Sequence, residues 1–172
     1  MHIHSRGSII AMFIGLVLGA SAARAELLPG YTYQFEGLSS RDVCGTPTGV
    51  NVRTKLYTYI GANGRDVFLY LDHDTGLRFT TNQLRAGSQT KNFRVGSNRY
   101  DATAQMSGDQ LSLSMLGTNP RGGQAKYEFR YTMTGTSCQA LDFKMEIGGC
   151  GNDHKDARPD RCFSYPGRPN TH

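Results

Sequence analysis

Four cysteines, Cys44, Cys138, Cys150 and Cys162, are the residues whose type and spacing most constrain the chemistry of this 172-residue chain. A structural zinc site usually draws its thiolates from Cys-x-x-Cys pairs. Here no two cysteines are closer than twelve positions, so no metal site is expected. An even cysteine count in an exported chain reads instead as two disulfides, with three possible connectivities. The spacing favours Cys150–Cys162, closing the polar loop GNDHKDARPDR, and Cys44–Cys138, tying the N-terminal segment to a late strand.

That loop holds Asp153, His154, Asp156 and Arg158, and it is the most polar stretch of the chain. Bracketed by a disulfide it would form a braced, exposed contact for a protein partner. Asp72-His73-Asp74 also groups ionisable side chains, but Asp followed by Gly76 is what a tight hairpin turn requires. Met106, Met115, Met133 and Met145 each fall among alternating apolar residues, where methionine fills gaps in a core. Tyr57, Tyr59, Phe68 and Tyr70 differ: they lie opposite Leu56, Ile60, Leu69 and Leu71, so one hairpin is apolar on both sides. Aromatics on a second face suit a sugar or an apolar ligand. No G-x-S-x-G elbow and no glycine-rich phosphate loop between a strand and a helix occurs, so neither catalytic residues nor a cofactor are signalled.

The elements that must position these residues begin with an export signal. Arg6 precedes the uncharged run Ile9–Ala20, and Ala23-Arg24-Ala25 fits an A-x-A cleavage site, so residues 1–25 read as a cleavable signal peptide. The run falls short of the roughly 20 apolar residues of a membrane-spanning helix, so no transmembrane segment is expected after cleavage. The lack of a twin-arginine pair points to the general secretory route. Arg6 and Arg24 leave with the signal, reducing the formal net charge from +5 to +3. With its basic residues scattered singly, such a surface excludes a nucleic-acid partner.

Downstream, apolar and polar residues alternate with the strand period between turn signals. Tyr31, Tyr33 and Phe35 mark a first strand, and Val52 to Ile60 a second. Asn63-Gly64 turns the chain into Val67–Leu71. Leu77 to Thr80, Phe93 to Val95, Tyr100 to Met106, Leu111 to Met115, Ala125 to Met133 and Leu141 to Ile147 continue the pattern, and no helix is predicted. The expected fold is all-β: an antiparallel meander of about eight strands, closed as an up-and-down barrel or alternatively packed as a two-sheet sandwich. A single domain would span residues 26–162, with Ala157 to His172 irregular and 163–172 a flexible tail.

The format is similar in architecture alone to lipocalin-like barrels and exported enzyme inhibitors, and no residue role follows from that. The expected function is a non-enzymatic binding protein of the periplasm or exterior. Its ligand would be a small, partly apolar molecule, held in a barrel mouth or on the face bearing Tyr57, Tyr59, Phe68 and Tyr70. The alternative is an inhibitor or protein-interaction module that presents the Cys150–Cys162 loop to another exported protein.

Overall fold

A computed structural model describes residues 26–43, 46–72, 74, 76–148 and 157–170, with the backbone alone described over 40–50. Ten strands and one short helix occur among them. β1 (Tyr31–Val43), β2 (Thr46–Ile60), β3 (Asp66–Leu71) and β4 (Gly76–Thr80) lead into α1 (Thr81–Arg85). β5 (Gln89–Val95), β6 (Asn98–Ser107), β7 (Gln110–Thr118), β8 (Gln124–Thr134), β9 (Ser137–Ile147) and β10 (Arg158–Pro166) follow. They form two antiparallel five-stranded sheets, ordered β10-β1-β2-β3-β4 and β5-β6-β7-β8-β9.

Local chemistry sets the turns. Gly64 sits at φ +65°, a conformation open to glycine at little cost, while Asn63 Oδ1 accepts hydrogen bonds from the backbone N–H of Arg65 and Asp66. Asp72 Oδ1 accepts the Lys55 N–H at 2.7 Å, tying the β3–β4 turn back to β2, and the Asp74 N–H closes the turn on the Leu71 carbonyl at 3.0 Å; His73 lies outside the described residues.

One face of each sheet turns inward. Tyr33 and Phe35 of β1, Leu56 and Ile60 of β2, and Val67 and Leu69 of β3 meet Ala102, Leu113, Phe129, Tyr131 and Phe143 of the second sheet. Met106, Met115, Met133 and Met145 are all buried in this core. Phe35 stands edge-on to Phe129 with ring centroids 5.3 Å apart, and Phe143 lies 5.1 Å from Phe129. Aromatic rings therefore fill the middle of the space between the sheets. Across this interior the hydroxyls of Thr58 and Tyr131 share a hydrogen bond of 2.6 Å, both side chains being fully buried. Burial drives the Tyr131 phenol pKa upward against the effect of that bond. Tyr131→Phe should cost about 2 kcal/mol, because it strands the Thr58 hydroxyl in the core. Thr58→Val/Tyr131→Phe should lose less than the two single changes combined, which urea denaturation measures as a coupling.

The sheets meet at two seams. α1 bridges β4 to β5: Thr80 and Gln83 cap it reciprocally, and Leu84 is buried against the core. At the other seam β9 and β10 run side by side without a ladder, joined by the Cys138–Cys162 disulfide. There Ser164 Oγ also donates to the Thr136 carbonyl at 2.7 Å.

The all-β antiparallel meander matches expectation, but several particulars differ. There are ten strands rather than about eight, in two separate ladders rather than one closed ring. α1 arises in a stretch too short for periodicity to register, from a Thr80-x-x-Gln83 capping box. Residues 163–166 are not tail, because β10 runs to Pro166 as the partner of β1. Neither expected disulfide forms, since Cys138 is bonded to Cys162. Spacing along the chain misled here, because β10 returns to lie beside the start of β9. The pair left over, Cys44 and Cys150, lies outside the described residues. Peptide mapping without reductant is expected to return a Cys44–Cys150 cross-link, the one connectivity compatible with two disulfides.

Candidate functional site: the outer face of the first sheet

Register across the first sheet aligns its outward side chains in rows. One row reads Tyr165, Thr32, Tyr59, Phe68 and Arg78 from β10 to β4. The next reads Phe163, Gln34, Tyr57, Tyr70 and Gly76. The four aromatics expected from sequence are thus brought together as two directly opposed cross-strand pairs, Tyr57 with Tyr70 and Tyr59 with Phe68. β10 adds Phe163 and Tyr165, which the sequence reading placed in the tail. Along β1 the shorter Thr32 and Gln34 form the floor between two aromatic flanks, and both are buried.

Packing within the face is close. The Tyr59 and Phe68 rings stand 6.0 Å apart, tilted by 33°. A Cβ at Gly76 would lie 2.8 Å from the Tyr70 ring, so the absence of a side chain there lets the tyrosine lie across β4. Tyr57 is only 2% exposed, and its hydroxyl pKa is pushed up to about 12, chiefly by burial and further by Tyr165, Asp72 and Glu36. Phe163 is 39% exposed, an uncovered ring at the rim.

A buried carboxylate closes one end. Glu36, 1% exposed, receives Gln34 Nε2 at 2.7 Å on Oε1 and Arg161 Nε at 2.6 Å on Oε2. Arg53 Nε lies 3.2 Å from Oε2, and its Nη2 also donates to Asp160. Burial raises the Glu36 pKa, but the hydrogen bonds from Arg161 and Gln34 and the charges of Arg161 and Arg53 outweigh it, holding the carboxyl below its usual range. Both oxygens are engaged, so Glu36 ties β1 to Arg53 of β2 and Arg161 of β10.

Because the folded-state pKa is lowered, the stabilisation from Glu36 is complete above the ordinary glutamate range and fades as pH falls through the lowered value. Glu36→Gln should lose about 2 kcal/mol at neutral pH, where a neutral amide replaces a charge facing two guanidinium groups. The variant should also flatten the acid limb of the stability–pH curve, as read by thermal melts from pH 7 to 3. An unchanged acid limb would assign that limb to other carboxylates.

The disulfide brace expected for the polar loop does not form. Cys162 closes a bond with Cys138, so no Cys150–Cys162 brace exists. Asp153, His154 and Asp156 lie outside the described residues, and Arg158 begins β10, exposed and opposite Leu38. The second sheet offers an open trough of about 280 Å³ of mixed lining, with Ser88, Thr103, Gln105 and Arg130 beside Leu113 and Phe129. Its outward charges largely pair with one another, as in Lys126–Glu128 at 2.6 Å and Lys144–Asp142 at 3.8 Å. Among the described residues no cluster of His, Cys, Asp and Glu could hold a metal ion, and no helix is long and apolar enough to cross a membrane.

No family model, curated protein or solved structure matches the chain.

Proposed function

We propose that the chain is an exported, non-enzymatic binding protein of the cell envelope or exterior. It holds a small, partly apolar ligand on the aromatic outer face of its first sheet. The observation carrying this reading is the outward array of Tyr57, Tyr59, Phe68 and Tyr70, extended by Phe163 and Tyr165 around a buried polar floor. Rings on a solvent-side face contribute nothing to the core between the sheets, and apolar bodies with polar hydroxyl tips suit ligands of mixed character. The aromatic filling of the interior favours this face over a barrel mouth. The Cys138–Cys162 disulfide supports an oxidising compartment, and the signal-like residues 1–25 support export.

Native mass spectrometry of protein purified from its own envelope tests the reading. A non-covalent adduct is expected on the wild type and not on Phe68→Ser/Tyr70→Ser, with the fold retained by circular dichroism. An adduct on both proteins, or on neither, would overturn it.

A further inference from the structure

Beyond β10 the chain turns back over the aromatic face. Gly167 N–H donates to the Gly30 carbonyl at 2.7 Å, and Thr32 Oγ1 donates to the Gly167 carbonyl at 2.6 Å, fixing a pivot. From it Arg168 extends over the outer rings, its guanidinium carbon 5.2 Å from the Tyr59 centroid and 5.9 Å from that of Phe68. Both distances lie within the roughly 6 Å over which a cation feels the negative face of an aromatic ring. Arg168 makes no salt bridge among the described residues, so the rings are its evident partners. Tyr59, beneath it, is only 7% exposed. The neighbouring Arg78 is neutralised by Asp66 at 3.0 Å, so its charge does not bar a second cation from the rings.

We propose that the Tyr59–Phe68 pair is a cation-binding subsite, taking the guanidinium or quaternary ammonium head of a ligand, and that Arg168 is its intramolecular occupant. This rests on the aromatic-face reading and adds a charge to the ligand described there. An incoming organic cation competes with a tethered guanidinium, whose effective concentration is high because its pivot is fixed. Removing the Arg168 side chain therefore opens the subsite.

The test uses tetramethylammonium and neopentyl alcohol, a neutral analogue in which a quaternary carbon replaces the nitrogen and one methyl carries a hydroxyl, titrated into wild type and Arg168→Ala at constant ionic strength and followed by amide NMR shifts. Arg168→Ala should bind tetramethylammonium about tenfold more tightly than wild type, with shifts centred on Tyr59 and Phe68. Adding Phe68→Leu, which keeps an apolar side chain but removes the ring, should abolish that gain. Neopentyl alcohol should bind several-fold more weakly than the cation. Equal binding of the two probes, or no tetramethylammonium shift in Arg168→Ala, overturns the cation subsite. The aromatic-face reading is judged separately, because the native-mass comparison makes no reference to charge.

Discussion

Cys138→Ser/Cys162→Ser is expected to unfold about 3 kcal/mol more easily than the wild type. The bond joins residues 24 positions apart, and closing a loop of that size in the unfolded chain removes entropy worth roughly that amount in the chain-entropy model. Its location sharpens the expectation. β9 and β10 belong to different sheets and share no ladder, so the seam between them relies on this bond and on side-chain contacts such as Ser164 to Thr136. Urea denaturation of the double variant, compared at equal pH with the oxidised parent, measures the loss as a lower midpoint. An unchanged midpoint would mean that the polar contacts and the β1–β10 ladder secure the seam alone.

Gly37→Ala should be nearly as damaging, again by about 3 kcal/mol. Gly37 lies in β1 where that strand passes over Phe143, and a Cβ added there would run into the ring. Most aromatic rings could swing aside, but Phe143 is buried beside Phe35 and Phe129, with centroids at 6.2 and 5.1 Å. The new methyl group must then displace either a packed ring or the β1 backbone, which also carries Gln34 and Glu36. Phe143→Leu alone should destabilise through a cavity. Combined with Gly37→Ala it should cost less than the sum of the two, because the smaller side chain leaves room for the methyl group. Strict additivity in thermal melts would show that the two residues do not compete for the same space.

Where side chains alternate simply, the sequence was a sound guide. The β2–β3 hairpin follows from Asn63-Gly64, and the positions of Tyr57, Tyr59, Phe68 and Tyr70 follow from strand parity alone. The four methionines fell on the core side for the same reason. β10 was illegible because Arg158-Pro159-Asp160-Arg161 carries the composition of a loop. Proline is tolerated there because β10 lies at the edge of its ladder, where a missing N–H removes little. With β10 went Phe163, Tyr165 and the true partner of Cys138. Glu36 was missed for a different reason. Strand parity puts it on the solvent side, and the charges that face it come from Arg53 and Arg161, 17 and 125 positions away along the chain. A pattern confined to neighbouring residues holds no trace of such a closure.

The pairing of β1 with β10 also sets a schedule for the first sheet. In order of synthesis β1 comes first and β10 follows all nine other strands, so one flank of β1 waits for its partner until the rest of the described chain has been made. Until then the aromatic face lacks Phe163 and Tyr165, Glu36 lacks Arg161, and Cys138 lacks Cys162. Assembly of the face therefore waits for β10: a product cut short before Arg158 would present an open edge of β1 where the longer chain carries Phe163 and Tyr165.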